Sequence, residues 1–274
     1  MILPRFEDTS QAIVLQKPHQ LALSQVALTA PVEGDVVVDI LYSGISTGTE
    51  KLLWSGRMPD FPGMGYPLIP GYESVGVVVH KERGAAHELG DFVFVPGAKC
   101  FGDLRGLFGG AASRVVVPAD RALPIAESLG ERGVLLALAA TAHHAYHADS
   151  TAQPDLIIGH GVLGRLIARL AVIAGHSPVV WETNPMRREG ALGYRVIDPA
   201  DDTCRSYQRI CDVSGDPTLL DTLVMRLAAG GEIVLAGFYD EALSFSFPPA
   251  FMREARFRVA AQWQPQDLVA VRCL

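Results

Sequence analysis

The glycine-rich run Gly159-His160-Gly161-Val162-Leu163-Gly164 constrains the fold more than any other part of the chain. It follows the apolar segment 155–158, which is typical of a buried parallel strand, and precedes the helical pattern of residues 165–174. The first glycine permits a tight turn, the second lets the backbone approach a pyrophosphate, and the third lets helix and strand pack closely. The run therefore predicts a dinucleotide site, with its phosphates at the N-terminus of the helix.

The rest of the second half of the chain agrees with this motif. Strands are predicted at 155–158, 179–181, 195–197, 210–213 and 232–236, and helices at 131–147, 165–174 and 219–227. Alternating strands and helices predict a doubly wound parallel sheet with right-handed crossovers.

The first half, up to about residue 125, is rich in β-forming residues. Strands are predicted at 12–15, 20–26, 35–42, 74–80, 92–95 and 114–117. Between residues 43 and 71, glycine and proline are so frequent that a long structured loop is expected and a helix is not. The expected architecture is a partly open β-barrel that carries this loop.

Glu182 follows the second predicted strand of the parallel sheet, 18 residues beyond Gly164. A carboxylate at this spacing accepts hydrogen bonds from the ribose of the adenosine and repels a 2′-phosphate, which favours NAD. Arg187 and Arg188 follow closely and would suit NADP. The plainer interpretation is that Glu182 is a solvated strand end. The side chain of His160 either contacts the cofactor or only fills the turn.

Charge and hydropathy exclude other classes of protein. The 30 acidic residues outnumber the 23 basic ones, for a net charge of −7, which argues against a general nucleic-acid binder. No apolar stretch is long enough for a transmembrane helix. The first residues, Met1-Ile-Leu-Pro-Arg-Phe, lack a basic start followed by an apolar run, so a signal peptide is not expected. The four cysteines have no CxxC spacing, so free thiols in a reducing cytoplasm are expected.

Several distinctive runs lie outside the glycine motif. They are Ser43-Gly-Ile-Ser-Thr-Gly-Thr-Glu50, Trp54-Ser-Gly-Arg-Met58, Pro70-Gly-Tyr-Glu-Ser-Val-Gly76, Val95-Pro-Gly-Ala-Lys-Cys-Phe-Gly102, Gly106-Leu-Phe-Gly-Gly-Ala111, Leu138-Ala-Ala-Thr-Ala-His-His-Ala145, Trp181-Glu-Thr-Asn-Pro185 and Phe247-Pro-Pro-Ala-Phe-Met-Arg-Glu254. Together they span nearly the whole chain. In these runs the sequence resembles the bacteriochlorophyllide a dehydrogenases, a branch of the medium-chain dehydrogenase/reductase superfamily.

The resemblance implies a fold and an activity. The expected domains are a GroES-like domain at 1–125, a Rossmann domain at 126–262, and the start of a C-terminally shortened return segment at 263–274. The expected reaction is oxidation of the 3-(1-hydroxyethyl) group of a bacteriochlorophyllide or chlorophyllide to 3-acetyl, with hydride passing to NAD⁺, in bacteriochlorophyll synthesis. Thr141 is expected beside the nicotinamide, and a homodimer is the expected assembly.

The chain departs from the zinc-dependent members of the superfamily. By motif, Ser46, Tyr72 and Ala137 stand where those enzymes place the Cys, His and Cys ligands of the catalytic metal, while Glu73 is kept. The four-cysteine structural zinc lobe is missing as well. Serine and tyrosine are poor zinc ligands and alanine has no donor, so no zinc is expected.

Without zinc, the alcohol must be polarised by hydrogen bonds. The candidates are Ser46, Thr49 and Tyr72, with Glu73 as base or orienting group. The plainer interpretation of the Ser/Thr cluster is ordinary turn chemistry.

For the flat pigment, the candidates are Trp54 and Phe108 as apolar contacts, and Arg57 and Arg105 as partners of its carboxylate. The plainer interpretation is that these loops form a small core.

The sequence leaves two alternative functions open. One is a zinc-free NADPH-dependent quinone or enone reductase. The other is a catalytically silent paralogue that binds cofactor or pigment without turnover, an interpretation motivated by the end at Leu274.

Overall fold

The computed structural model of the chain describes residues 8–147, 153–272 and 274. It divides into two compact units, one up to Ala137 and one from Leu138 onward.

The first unit consists mainly of short strands. Its elements are β1 (Thr9–Lys17), β2 (Gln20–Ala27), β3 (Asp35–Ser43), α1 (Thr49–Ser55), β4 (Leu68–Ile69), β5 (Ser74–Lys81), β6 (Phe92–Val95), β7 (Arg105–Gly106), β8 (Arg114–Pro118), β9 (Leu123–Pro124) and 3-10 helices at Ala119–Arg121 and Glu127–Leu135. The six predicted strands are confirmed.

These strands form two sheets, in the orders β2-β1-β4-β7 and β8-β3-β5-β6-β9. β3 pairs antiparallel with both β5 and β8. Apolar residues of β1, β3, β5, β6 and β8 fill one core, in which consecutive residues of β3 are buried. The two sheets share this core.

The prediction for residues 43–71 was wrong in one respect, because α1 lies within the expected loop. The helix occupies the stretch between Gly48 and Gly56, which contains no glycine or proline. Gly56, at φ 72°, ends the helix in the left-handed conformation. The glycines of this segment therefore bound a helix and do not prevent one.

The second unit alternates helices and strands. Its elements are α2 (Leu136–His147), β10 (Leu156–Ile158), α3 (Val162–Ile173), β11 (Val179–Trp181), β12 (Arg195–Ile197), β13 (Tyr207–Asp212), α4 (Leu220–Val224), β14 (Leu227–Leu235), α5 (Phe247–Met252), β15 (Arg256–Val259), α6 (Pro265–Arg272) and 3-10 helices at Pro185–Arg187 and Pro199–Asp201.

The second unit's sheet has the order β12-β11-β10-β13-β14-β15, and all of its strands are parallel. The strand order reverses between β10 and β13, and ligands of such sheets bind at this point, beyond the carboxyl ends of the strands. Two apolar clusters cover the two faces of the sheet. The predicted doubly wound sheet is confirmed.

The predicted helix at 219–227 is shorter, because β14 already begins at Leu227. Of the helices that the structure describes, none is long and apolar enough to cross a membrane.

Candidate functional site

The turn after β10 leaves the start of α3 open. A Cβ atom on Gly164 would lie 1.9 Å from the carbonyl oxygen of Gly159, so only glycine lets the helix pack this closely. A Cβ atom on Gly161 would meet no atom within 4 Å, and no side chain caps the helix. The first N–H groups of this 12-residue helix can therefore bind a phosphate. These residues fit a dinucleotide.

The carboxylate of Glu182 lies against this turn. Its side chain is only 8% exposed, and Oε2 accepts a hydrogen bond of 3.1 Å from the backbone N–H of His160. Oε1 accepts a hydrogen bond of 2.8 Å from the N–H of Asn184. Each carboxylate oxygen has further lone-pair capacity, so Glu182 can also accept from a ribose hydroxyl. A negative charge is thus fixed beside the phosphate turn.

The ring of His160 points into the protein and is 1% exposed. Nδ1 lies 2.6 Å from the carbonyl oxygen of Arg187, and Nε2 lies 2.9 Å from the hydroxyl of Tyr194. A carbonyl can only accept, so Nδ1 carries the proton and Nε2 accepts from the tyrosine. Burial lowers the pKa of His160, which keeps the ring neutral. The His160 side chain therefore stabilises the turn from inside the protein. Only the backbone of His160 is available to a cofactor.

The two arginines after Glu182 have different surroundings. The Arg187 side chain is exposed, while its carbonyl oxygen accepts from Arg165 as well as from His160. Arg188 is held by an ion pair with Asp198 and by a hydrogen bond of 2.8 Å to the carbonyl of Glu182. Of the two, only Arg187 presents an unengaged guanidinium.

The remaining cofactor candidates lie on the helices of the second unit. Val162 is exposed in the first turn of α3, and Leu163 packs toward the sheet. Thr141 lies half-buried in α2. The structure thus brings Gly159 to Gly164 together with Glu182.

Close to Thr141 in sequence, two histidines of α2 form hydrogen bonds with the carboxylate of Asp267 in α6. Asp267 lies 2.7 Å from Nδ1 of His143 and 3.0 Å from Nδ1 of His144. It also accepts a hydrogen bond of 2.8 Å from the N–H of Gln264, at the start of α6. This buried group holds the two helices together.

In the first unit, polar side chains gather where α1 begins. The hydroxyl of Ser46 accepts a hydrogen bond of 3.4 Å from the N–H of Thr49. The phenol of Tyr72 lies near enough to Ser46, Thr49 and Glu73 for these side chains to shift its pKa, with burial as the larger cause. Burial raises the pKa of Tyr72 to about 12, so it is a neutral donor at pH 7. All four predicted catalytic side chains are therefore brought together.

Two buried carboxyl groups lie behind these hydroxyls. Glu73 is 3% exposed and Glu50, in the first turn of α1, is 9% exposed. Burial raises the pKa of each to about 7, and repulsion between the two adds to the shift of Glu50. A group with a pKa near 7 can accept and release protons at neutral pH.

Glu50 was not among the residues predicted from the sequence. The signal was local: once α1 is recognised, Glu50 falls three residues before the fully buried Leu53, on the same helix face. Because no helix was predicted here, the burial of Glu50 on the inner face of α1 was missed.

Three positions were aligned by motif with the zinc ligands of the zinc-dependent superfamily members. Ser46 is buried with a hydroxyl donor, Tyr72 holds a neutral phenol, and Ala137 is buried without any donor atom. Nowhere in the described ranges do three or more His, Cys, Asp or Glu side chains cluster as a metal would require. Zinc prefers thiolate and imidazole, which this set lacks.

The predicted substrate residues lie in the loops of the first unit. Trp54 is partly exposed and packs edge to face with His19, and Phe108 does so with Tyr72, with ring centroids 5.2 Å apart. Arg57 and Arg105 are both exposed, and Arg105 donates to the carbonyl of Tyr66 at 3.3 Å.

Neighbouring loop residues pack inward, because Met58 joins a small core with Leu52, Leu53 and Leu68, and Phe101 joins the main core. The loops thus form a core and still leave Trp54 and Phe108 partly exposed.

Comparison with known proteins agrees with both units. Residues 32–127 match the family model described as the alcohol dehydrogenase GroES-like domain, which confirms the expected class of the first domain.

Two curated relatives are similar along nearly the whole chain. The 2-desacetyl-2-hydroxyethyl bacteriochlorophyllide A dehydrogenase of Cereibacter sphaeroides is 58% identical over 269 residues, which cover 96% of this chain and 85% of the relative. The protein of the same description from Rhodobacter capsulatus is 57% identical, with 97% and 85% covered.

Among solved structures, acetophenone reductase from Geotrichum candidum in complex with NAD superposes with a TM-score of 0.83. The two sequences are 19% identical, and the alignment covers 98% of this chain and 87% of that one. At this identity the similarity concerns the fold.

Proposed function

Because the chain belongs to the 2-desacetyl-2-hydroxyethyl bacteriochlorophyllide A dehydrogenases of the medium-chain dehydrogenase/reductase superfamily, we propose that it oxidises the hydroxyethyl group of its pigment with NAD⁺ and without zinc. The reaction converts a secondary alcohol to a ketone in bacteriochlorophyll synthesis. The proposed reaction rests on the sequence identity of 58% with the Cereibacter sphaeroides protein over 96% of this chain. The choice of NAD and the absence of zinc rest on this chain's own residues.

The proposal for NAD rests on Glu182. Its carboxylate stands at the phosphate turn, where it would accept hydrogen bonds from ribose hydroxyls and repel a 2′-phosphate. Arg188, one of the two arginines that would suit NADP, is already paired with Asp198. A nicotinamide cofactor held here would supply the acceptor for the hydride of the alcohol carbon. Gly159, Gly161 and the start of α3 would bind the phosphates, and Thr141 would lie beside the nicotinamide.

Hydrogen bonds replace a metal ion in the proposed site. The hydroxyls of Ser46, Thr49 and Tyr72 would orient the substrate oxygen, and Glu73 would take its proton, since burial raises the pKa of Glu73 to about 7. As hydride leaves the carbon, the O–H bond breaks and the carbonyl forms.

Trp54 and Phe108 would contact the pigment ring, and Arg57 or Arg105 its carboxylate. The homodimer and the cytoplasmic location stay predictions. The free thiols of Cys100, Cys204 and Cys211 support the second of these.

Anaerobic incubation of the purified chain with a 3-hydroxyethyl bacteriochlorophyllide tests the proposal. With NAD⁺ we expect a shift of the red absorption band and a product lighter by two hydrogens, and with NADP⁺ a much slower reaction. Metal analysis of the active protein should find less than one zinc per chain, and dialysis against a chelator should leave the rate unchanged. Faster turnover with NADP⁺ would overturn the choice of NAD. Loss of the rate on chelation would overturn the absence of zinc.

A further inference from the structure

Every polar group of His160, in the phosphate turn, has a hydrogen-bond partner. Its backbone N–H donates to Oε2 of Glu182 at 3.1 Å, and its carbonyl oxygen accepts from Nε of Arg165 at 3.2 Å. In the ring, Nδ1 donates to the carbonyl oxygen of Arg187 at 2.6 Å, and Nε2 accepts from the hydroxyl of Tyr194 at 2.9 Å. Because the residue is 1% exposed, water does not compete for the two ring bonds.

These bonds tie the turn to the segment 183–189, which follows β11. Nearly all side chains of this segment are exposed, so packing does little to fix its position. Its carbonyl groups point back to the turn instead. Nη2 of Arg165 donates to the carbonyl oxygens of Arg187 at 3.0 Å and of Glu189 at 2.8 Å, and the His160 ring donates to the first of these. Hydrogen bonds from the turn and from α3 therefore hold the segment.

The two donors to the Arg187 carbonyl differ in how firmly they are held. The guanidinium of Arg165 is partly exposed and is shared among three carbonyl groups. The His160 ring is buried, bonded through Nε2 to Tyr194, and packed edge to face against the tyrosine ring with centroids 5.6 Å apart. The imidazole is thus the fixed point to which the middle of the segment is bonded.

The elements that His160 joins are those that meet one half of a dinucleotide. In a doubly wound sheet the pyrophosphate lies at the glycine turn, and the ribose of the adenosine lies at the residue after the second strand, here Glu182. The nicotinamide half lies across the switch point, beyond the end of β13. A segment that is ordered before binding does not subtract its ordering cost from the affinity.

We infer that the side chain of His160 is a positioning residue for the adenosine half of the cofactor, and that it acts through the bond from Nδ1 to the carbonyl of Arg187. The inference rests on the proposed binding of NAD⁺ at the phosphate turn and Glu182. The ring itself does not touch the cofactor, because it lies inside the protein. It keeps the segment 183–189 in the conformation that receives the adenosine.

Two substitutions of His160 separate its two ring bonds. The amide nitrogen of Asn lies at the position of Nδ1 and can donate to Arg187, whereas Gln places its amide at the position of Nε2 and can meet only Tyr194. By isothermal titration, His160→Gln should weaken binding of ADP-ribose about tenfold, and His160→Asn should stay within about twofold of the wild type. The same two changes at the exposed His176 are the controls and should leave the affinity unchanged.

Turnover gives a second measure of the same variants. In His160→Gln the KM for NAD⁺ should rise about tenfold while kcat at saturating NAD⁺ stays unchanged, because the nicotinamide half is not affected. Both variants remove the imidazole, so both should lower the melting temperature. A merely structural role would weaken binding in both variants in step with that loss, and Asn would then not restore the affinity.

Hydrogen exchange of the cofactor-free protein tests the segment directly. The N–H groups of Arg187 and Arg188 donate to the carbonyl oxygens of Asn184 and Pro185, so they are protected only while the segment keeps its turn. Exchange of these amides should quicken in His160→Gln and remain near the wild-type rate in His160→Asn. Equal protection in all three proteins would overturn the inference.

The inference and the proposed choice of cofactor fail differently. If the wild type binds 2′-phospho-ADP-ribose more tightly than ADP-ribose, the choice of NAD is wrong, and the comparison of the two variants is then made with the 2′-phosphorylated compound. If the wild type prefers ADP-ribose but His160→Gln and His160→Asn bind it equally well, only the role of His160 is overturned.

Discussion

Oε2 of Glu182 accepts a hydrogen bond of 3.1 Å from the backbone N–H of His160. This bond joins the residue after β11 to the middle of the phosphate turn after β10. The turn and the proposed ribose acceptor are therefore one unit, and a change in Glu182 alters both the shape of the turn and the charge beside it.

Glu182→Gln should weaken NAD⁺ binding more than it weakens the fold. The amide keeps one acceptor but cannot accept from both His160 and Asn184 with its two ends, and it removes the charge that repels a 2′-phosphate. We expect KM for NAD⁺ to rise about tenfold and the preference for NAD⁺ over NADP⁺ to fall. Glu189→Gln, an exposed change nearby, is the control. An unchanged preference would contradict the assignment of NAD to Glu182.

Two alanine substitutions in the turn should separate binding from stability. Gly161→Ala adds a Cβ atom that meets nothing within 4 Å, so the melting temperature should stay near that of the wild type. The added methyl group would occupy the approach of the phosphates, and cofactor affinity should fall at least tenfold by isothermal titration.

Gly164→Ala is the opposite case. Its Cβ atom would lie 1.9 Å from a backbone oxygen, which should cost about 1–3 kcal/mol of unfolding free energy. If both variants lose stability equally, the space at Gly161 is not reserved for a ligand.

The phosphate turn was predictable from sequence because its signals are local. Glycines at 159, 161 and 164 follow a buried strand directly. The parallel sheet was predictable from the alternation of strands and helices, but the order of its strands was not. α1 was missed because glycine and proline at its borders outweighed the seven helical residues between them. Without α1, the buried position of Glu50 could not be predicted either.

Other features depend on residues that are far apart in the chain. Asp267 and His143 are separated by 124 positions, and nothing in the local pattern of either residue predicts their contact. The inward orientation of His160 likewise depends on Tyr194, 34 residues further on. A single sequence identifies such groups as candidates, but only the fold shows which partners they meet.

Stability should depend on pH through Glu50. Burial and the neighbouring Glu73 raise the pKa of Glu50 from 4.5 to about 7. A group whose pKa is raised by folding contributes stability below its unfolded pKa, and this contribution is lost as the pH rises through about 7. Glu50→Gln imitates the protonated form at every pH, so it should raise the unfolding free energy at pH 8 by about 1–3 kcal/mol and change little below pH 4.5. Urea unfolding at both pH values measures this. A variant less stable than the wild type at pH 8 would show that Glu50 is held as a paired anion.

Asp267→Asn should loosen α6 from α2. Burial alone would raise the pKa of Asp267, but hydrogen bonds from Gln264, His143 and His144 outweigh it and lower the pKa below 3.8. The ionised carboxylate therefore stabilises the fold above pH 3.8, and this contribution is lost as the pH falls through the lowered pKa.

At pH 7 the variant should lose about 1–3 kcal/mol of unfolding free energy, because an amide cannot accept from all three donors. Hydrogen exchange of the α6 amides should quicken, whereas the exposed control Asp120→Asn should leave both measurements unchanged. Equal exchange rates in variant and wild type would show that the two histidines do not hold α6 in place.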